Sequence, residues 1–463
     1  MEEQRKVIIT GDPFVDTGGM VLECLMETFP EKSIDQLIDF AADVFVFKWQ
    51  SKIDALQLNS EITHNSRRNS TKAVAAVKET FRSFEIKGEK GFCRICGKND
   101  ILFLSGRERF CLSGSGALVN FHHSHQGGLM LCRDCVTKLF FLPFGVVQMS
   151  GKIAFCYTNN MVVREYWKEK TVKENLNKIG RNSSDEILRW EWSNPRNALF
   201  KIADEVYVSS VRKRTNNINV NIQLYHFTNF GASPECELHI LPARVFSFLS
   251  RVLKDYRKEW NRLLHRNFHI TGAKWDDSEE IWKKKDVALE ADSFRNNKNT
   301  IIEKLLRDES ISKHIYLFYR NKFRRNENDF DTLMAVYYMT EVQGMRQDQI
   351  DLIKRLGTSI IQLAKQEDSV KKYLVMIEGA SKAYQLRGTL LKLIKKNYLN
   401  GGSDPLLTLE EYVNYLFPDG QFWGEVRDLL LIFIYEVLHK ENISIPDVES
   451  IALEEPEEMR NEV

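Results

Sequence analysis

Cys93-Arg94-Ile95-Cys96-Gly97, answered further along by Cys132-Arg133-Asp134-Cys135, is the stretch on which the architecture of this chain turns. Two Cys-x-x-Cys knuckles offer four thiolates, the set that a tetrahedral zinc ion takes at S–Zn distances of about 2.3 Å. With Cys93, Cys96, Cys132 and Cys135 filling every position, such an ion braces the fold and leaves no open site for chemistry. Gly97 stands where the chain must turn sharply after the first knuckle, and a residue without Cβ does so at least strain. The second knuckle leads straight into Val136-Thr137-Lys138-Leu139-Phe140-Phe141, an apolar run able to start a helix or strand on the metal.

The knuckles lie farther apart than the roughly 15–20 residues of a compact ribbon. Residues 97–131 therefore form an insert held at its base by the ion. The insert contains Cys111 and His122-His123-Ser124-His125, so Cys111, His122, His123 or His125 is an alternative ligand. A redox dithiol is the rival reading of the knuckles, but no thioredoxin-like βαβ pattern surrounds either pair.

Around this site the 463-residue chain has a globular composition, with 43% apolar and 28% charged residues, enough for two or three domains. No stretch approaches the roughly 18–20 apolar residues of a membrane span, and the opening Met-Glu-Glu-Gln-Arg-Lys lacks a secretory layout. Of eight cysteines, Cys24, Cys156 and Cys236 read as buried thiols, a usage typical of a reducing cytoplasm.

Apolar spacing predicts an α+β chain: a mixed N-terminal domain over 1–270 with the zinc-knuckle insert, then a C-terminal helical bundle. The opening Gly11-Asp12-Pro13-Phe14-Val15-Asp16-Thr17-Gly18-Gly19 holds many turn formers and reads as irregular. Helical spacing follows over 20–29 and 34–48, with Ser33 or Asp35 as cap. Runs at 152–157, 204–211 and 218–227 read as strands, the last alternating apolar and polar residues. From 243 to 266 one apolar stripe runs along a helix. A charged connector is expected over 271–328, a bundle over 329–446 and an acidic, disordered tail over 447–463. Within the bundle three stripes stand out: Ile350, Ile353, Leu356, Ile360 and Leu363; Leu374, Ile377, Tyr384, Leu391 and Ile394; and a third from Val426 to Leu438.

Catalytic signatures are scarce. Phosphate-binding glycine loops, a His-Glu-x-x-His helix, a Gly-x-Ser-x-Gly elbow and the zinc-deaminase pattern are all missing. Asp12 and Asp16 suit local turn hydrogen bonds better than acid–base work. The clustered histidines suit a polar surface turn, with a zinc-containing nuclease or nucleic-acid-modifying enzyme as the rival reading.

Net charge is +1, but charge is segregated. Lys371, Lys372, Lys395 and Lys396 belong to a basic helical region, whereas 447–463 carries seven acids, Asp447 to Glu462, against Arg460 alone. Arg212, Lys213, Arg214, Asn216, Asn217 and Asn219 form a basic, amide-rich loop between two strand-like runs, with chemistry for phosphates and base edges. Arg320, Lys322, Arg324 and Arg325 alternate with Tyr316, Phe318, Tyr319 and Phe323. That mixture suits single-strand stacking, and on a helix it equally suits a core.

The opening Thr10 to Gly19, the two knuckles, and Asn229-Phe230-Gly231 followed by Leu238-His239-Ile240-Leu241-Pro242 occur in that order. Together they resemble the CXXC–CXXC family of CRISPR-associated proteins, the large subunit of type I-B Cascade complexes, over most of the chain. The resemblance implies a non-enzymatic subunit of a prokaryotic cytoplasm that assembles with backbone and crRNA-processing subunits and with crRNA. It implies reading of the PAM in target double-stranded DNA and recruitment of a helicase–nuclease, while base pairing reads the sequence. A further expectation is a separate small product translated from Met345, with Met334 and Met339 as alternative starts.

Overall fold

The computed structural model describes residues 8–83, 88–113, 128–214, 220–229, 234–276, 278–285, 287–289, 296–401, 405–417 and 422–445. It divides into two compact units, 1–243 with 291–297, and 244–290 with 298–463. Helices and antiparallel sheets both contribute, so the chain is α+β, and helices dominate its C-terminal part. Among the described residues no helix is long and apolar enough to cross a membrane.

The first unit opens on α1 (Pro13–Thr28), where the sequence suggested irregular chain. The turn formers are the punctuation of a helix start. Asp12 is the N-cap, its carboxylate accepting from Val15 N at 2.8 Å, and Pro13 occupies the first turn, where a missing N–H is harmless. Asp16 accepts from Thr10 N at 2.7 Å and Gly11 N at 2.9 Å, which draws the preceding stretch of chain over the helix. Both aspartates are thus engaged in local structure.

Gly18 has another reason. A Cβ there would lie 1.9 Å from the Lys138 carbonyl oxygen, so α1 touches the backbone of α4 (Arg133–Phe141) directly. Between them lie α2 (Ile34–Asp43), capped by Ser33 with Gln36 in a reciprocal box, and α3 (Thr71–Arg82). Gly18→Ala forces α1 and α4 apart. Overpacking of this kind is expected to destabilise the first unit by about 3 kcal/mol, the upper end of its range. Thermal unfolding followed by a probe in that unit measures it, and an unchanged midpoint contradicts the close approach.

Two sheets complete the unit. Strands β1 (Glu89–Phe92), β2 (Asn99–Ser105) and β3 (Leu129–Cys132) pair antiparallel in that order. Strands β4 (Val147–Met149), β5 (Lys152–Tyr157), β6 (Ile222–Thr228) and β7 (Glu235–Leu241) form a second antiparallel sheet, with β7 at its edge. Phe14 of α1 packs edge-on against Phe155 at 5.0 Å and Phe227 at 5.2 Å on one face.

The expected strand at 204–211 is helix. After α5 (Met161–Trp167) and α6 (Glu174–Gly180), α7 runs Pro195–Arg212, capped by Asn194. Val206, Val208 and Val211 imitate a strand locally. The buried set Leu199, Ile202, Ala203, Val206 and Ser210 nevertheless follows helical period, and packing overrides the weak intrinsic preference of valine.

The second unit begins where the sequence stripe at 243–266 breaks into α8 (Ala243–Asp255) and α9 (Arg257–Arg266). The boundary therefore falls at 243–244 and not at 270. Apart from 291–297, which belongs to the first unit, the region expected as a connector is integral to this unit. It forms the small antiparallel sheet β8 (Lys274–Asp276), β9 (Ile281–Lys284) and β10 (Val287–Ala288), then α10 (Thr300–Leu306) and α11 (Ser312–Arg324). Around them stand α12 (Leu333–Tyr337), α13 (Gln347–Gln366), α14 (Val370–Glu378), α15 (Ala383–Leu399) and α16 (Trp423–Lys440).

Helix α16 is the centre of this bundle, buried from Leu429 to Tyr435 without interruption. Helix α11 lies along it. Ser312 Oγ donates to buried Asp428 at 2.7 Å, and Tyr316 and Tyr435 both donate to buried Glu378. A product begun at Met345, Met339 or Met334 omits α11 and leaves Asp428 and Glu378 without the donors that helix supplies. The loss of these bonds argues against such a fragment standing alone as its apolar stripes suggest.

Candidate metal centre and basic surfaces

The metal centre is built from a turn and a helix start. In the first knuckle Cys93 N donates to Lys98 O at 2.9 Å and Gly97 N to Cys93 O at 3.0 Å, with Gly97 at φ 71°. That positive φ is the conformation that favours glycine, as the sequence suggested. In the second, Cys132 ends β3 and Cys135 lies in the first turn of α4. Pairing of Arg94 N with Met130 O at 3.0 Å draws the knuckles together.

The four sulfur atoms lie within 4.8 Å of one another. Cys93 Sγ is 3.7 Å from Cys135 Sγ, and Cys96 Sγ is 3.6 Å from Cys132 Sγ. A tetrahedron with S–metal bonds of about 2.3 Å has edges of about 3.8 Å, so these separations fit a metal between the sulfurs. They do not fit disulfides, whose sulfurs are about 2.05 Å apart. Cys132 N also points at Cys93 Sγ from 3.4 Å, a backbone donor of the kind that supports a thiolate.

The thiol chemistry agrees. Hydrogen bonds from Cys132 and Cys135 push the Cys93 thiol far down, while the Cys135 thiol is pushed far up by its bonds to Cys132 and Cys93. Sulfurs this close hold one negative charge easily and further ones only around a cation. The arrangement can hold a soft or borderline divalent ion, consistent with zinc, with no protein position left open.

Cys111 is buried and lies outside this cluster, and the alternative ligands His122, His123 and His125 lie outside the described residues. Cys24 and Cys156 are buried as expected, whereas Cys236, on the edge strand β7, is exposed.

Of the basic candidates, two belong to the interior. Arg320 and Lys322 are 8% and 4% exposed, Arg320 facing Glu378 and Lys322 facing Glu259 at 3.8 Å. Tyr316, Phe318, Tyr319 and Phe323 are core residues of α11. Arg325 pairs with Glu280 and lies 3.9 Å from Glu327, and Arg324 is exposed. This cluster is therefore a packed, ion-paired helix and not a stacking surface.

Arg212, Lys213 and Arg214 are exposed, but they end a helix and do not join two strands. Asn216, Asn217 and Asn219 lie outside the described residues, as does the acidic segment 447–463. Lys396 pairs with Glu367, whereas Lys371, Lys372 and Lys395 are exposed and make no ion pair among the described residues.

The second bundle stripe divides. Leu374 and Ile377 are buried in α14, but on α15 the buried face is Leu386, Thr389, Leu390 and Leu393. Tyr384, Leu391 and Tyr398 are 66%, 61% and 78% exposed and, with Lys395, fall on one side of α15 by helical spacing. Sequence reasoning assigned Tyr384 and Leu391 to the core. The four-residue offset between Leu386 and Leu390 was the signal for the true face.

Asn229, beyond its place in the Asn229-Phe230-Gly231 motif, is fully buried and joins two loops. Its side-chain amide donates to Leu56 O at 3.0 Å and Arg107 O at 3.1 Å, and its oxygen accepts from Leu112 N at 3.0 Å. It organises the turn that follows β2.

No protein-family model matches the chain, and no curated protein matches it.

Proposed function

We propose that this chain is a zinc-braced, non-catalytic subunit that grips nucleic acid within a guide-directed surveillance complex of the CXXC–CXXC, type I-B kind. In that role it works in a prokaryotic cytoplasm beside the backbone and crRNA-processing subunits. It meets the PAM-bearing target duplex and passes it to a helicase–nuclease. The sequence resemblance supplies this identity.

The observation that carries the nucleic-acid part is the exposed α15 stripe. Tyr384, Lys395 and Tyr398 share one helix side, and Lys371 and Lys372 are exposed on the neighbouring α14, with no ion pair among the described residues. Lysines neutralise phosphate, and tyrosine rings offer faces to unstacked bases at about 1–3 kcal/mol each. The closed set of four cysteines supports a bracing role for the ion, since it presents no coordination site to a substrate. Arg212, Lys213 and Arg214 remain candidates for the duplex backbone.

Two measurements test the reading. In the assembled complex, replacing Lys371, Lys372 and Lys395 together by alanine is expected to weaken binding to guide-matched DNA. It should also flatten the plot of log affinity against log salt by roughly 2, at about 0.7–0.9 per phosphate contact. Tyr384→Ala with Tyr398→Ala should reduce affinity with little change in that slope. Unaltered affinity and slope remove α15 from the interface. Turnover of labelled DNA by the purified chain alone, with divalent metals, overturns the non-catalytic assignment.

A further inference from the structure

Strands β6 and β7 bring together three ligand groups that no knuckle announces. In the antiparallel register His226 stands opposite Glu237, and His239 stands opposite Leu224, two residues along from His226. His226, Glu237 and His239 therefore project from the same face of the sheet, since side chains alternate with period two. One ligand atom from each lies within 4.8 Å of the other two.

His226 is buried, the His239 side chain is largely covered, and neither ring is fully satisfied. His226 is 5% exposed and the His239 side chain 10% exposed. His226 Nε2 lies 3.1 Å from the carbonyl oxygen of Met149, so the ring N–H is committed there, and Nδ1 is left carrying its lone pair. That Nδ1 is buried with no hydrogen-bond partner, and Nε2 of His239, also buried, makes no well-formed hydrogen bond, its near neighbour being the Glu237 carboxylate. Buried nitrogens without well-formed partners are rare, and an ion held by both rings would satisfy them. A ring fixed by donation to a backbone carbonyl, with its other nitrogen bare, is the usual support of a metal-ligating histidine.

Glu237 completes the set. Its Oε2 is 3.4 Å from His239 Nε2, and ligands about 2.0–2.1 Å from a shared tetrahedral ion sit about 3.3–3.4 Å apart. Lys152 engages the other oxygen, Oε1, at 3.2 Å and Glu235 at 2.9 Å, which orients the carboxylate and leaves Oε2 to face the histidines.

We propose that His226, Glu237 and His239 form a second metal site, separate from the cysteine centre, for a borderline divalent ion of the zinc, cobalt or nickel class. Two nitrogen donors and one oxygen exclude magnesium and calcium as the preferred ions. Three protein ligands leave one position open, so the bound ion keeps a water or accepts an anionic ligand. The nearby charges of Lys152 and Arg196 oppose a cation, and the site accordingly holds its ion less tightly than four thiolates do. An ion there ties the edge strand β7 to β6.

Full-length protein, stripped and reloaded with excess cobalt(II), tests the assignment. The expected result is two ions per chain. One gives the thiolate-to-metal charge-transfer absorption of the cysteine centre, and the other adds only weaker visible bands and is removed first by chelator. His239→Gln and Glu237→Gln should each weaken the second ion at least roughly hundredfold while leaving the thiolate absorption intact. Glu237 is exposed on an edge strand, so its replacement leaves the fold in place, and the thiolate absorption reports that directly. A single ion per wild-type chain, or a second ion retained in both variants, overturns the proposal.

Discussion

Removing the ion from the cysteine centre, by chelator or by Cys135→Ser, is expected to unfold the small β1–β2–β3 sheet while the β4–β7 sheet and the second unit stay folded. The sheet has little else to hold it. Every residue of β1 is at least partly exposed, β2 buries only Leu102 and Ser105, and the remaining apolar cover is Leu129 and Leu131. Apparent metal binding in free finger peptides is worth about 10–16 kcal/mol, as much as a whole domain's net stability of about 5–15 kcal/mol. Helix α4 is anchored independently, since Leu139, Phe140 and Phe141 are buried beyond the knuckle and its backbone rests on Gly18. Amide exchange should therefore accelerate across 88–105 and 129–132 and remain slow from Leu139 onward. Because protons compete for the same sulfurs, metal affinity should rise with pH. A metal-free chain with β1–β3 still protected, or a Cys135→Ser chain retaining full metal content, defeats the argument.

The knuckles were legible in the sequence because a tetrahedral thiolate set needs a fixed short spacing within each pair, and spacing is what a sequence displays. Helical stripes such as Ile350 to Leu363 were legible for the same reason, all five being buried in α13. What escaped depends on partners distant in the chain. Gly18 looks like a turn residue until Lys138 is brought against it, and the valines of α7 look like a strand until the helix face packs. Arg320 and Lys322 of α11 look like surface because charge is normally solvated, yet Glu378 and Glu259 meet them inside. The pairing of His226 with Glu237 and His239 lies in strand register, which a linear reading of either strand does not contain.

The acid inside the second unit leads to the other large expected effect. Glu378 is 3% exposed, and a single oxygen, Oε1, accepts from Tyr316 and, at 2.7 Å, from Tyr435. Arg320 Nε stands 3.8 Å from the same oxygen, so α11, α14 and α16 converge on one carboxylate. Glu378→Ala removes that acceptor and leaves two buried hydroxyls and a buried guanidinium around a cavity. Deleting the acid of a buried pair typically costs about 3–5 kcal/mol, and here two tyrosine hydroxyls and a nearby guanidinium lose the same acceptor. Glu378→Gln keeps an oxygen for the tyrosines and should recover part of that loss; Tyr316→Phe, which deletes only one donor, should cost about 1 kcal/mol. The two units need not unfold together, so the measurement is amide exchange resolved by helix, not a single melting temperature. Protection should fall in α11, α14 and α16 together, with the β4–β7 sheet unaffected. If Glu378→Ala leaves exchange in those helices within about 1 kcal/mol of wild type, the carboxylate is not what joins them, and the case against a free-standing bundle from Met345 weakens with it.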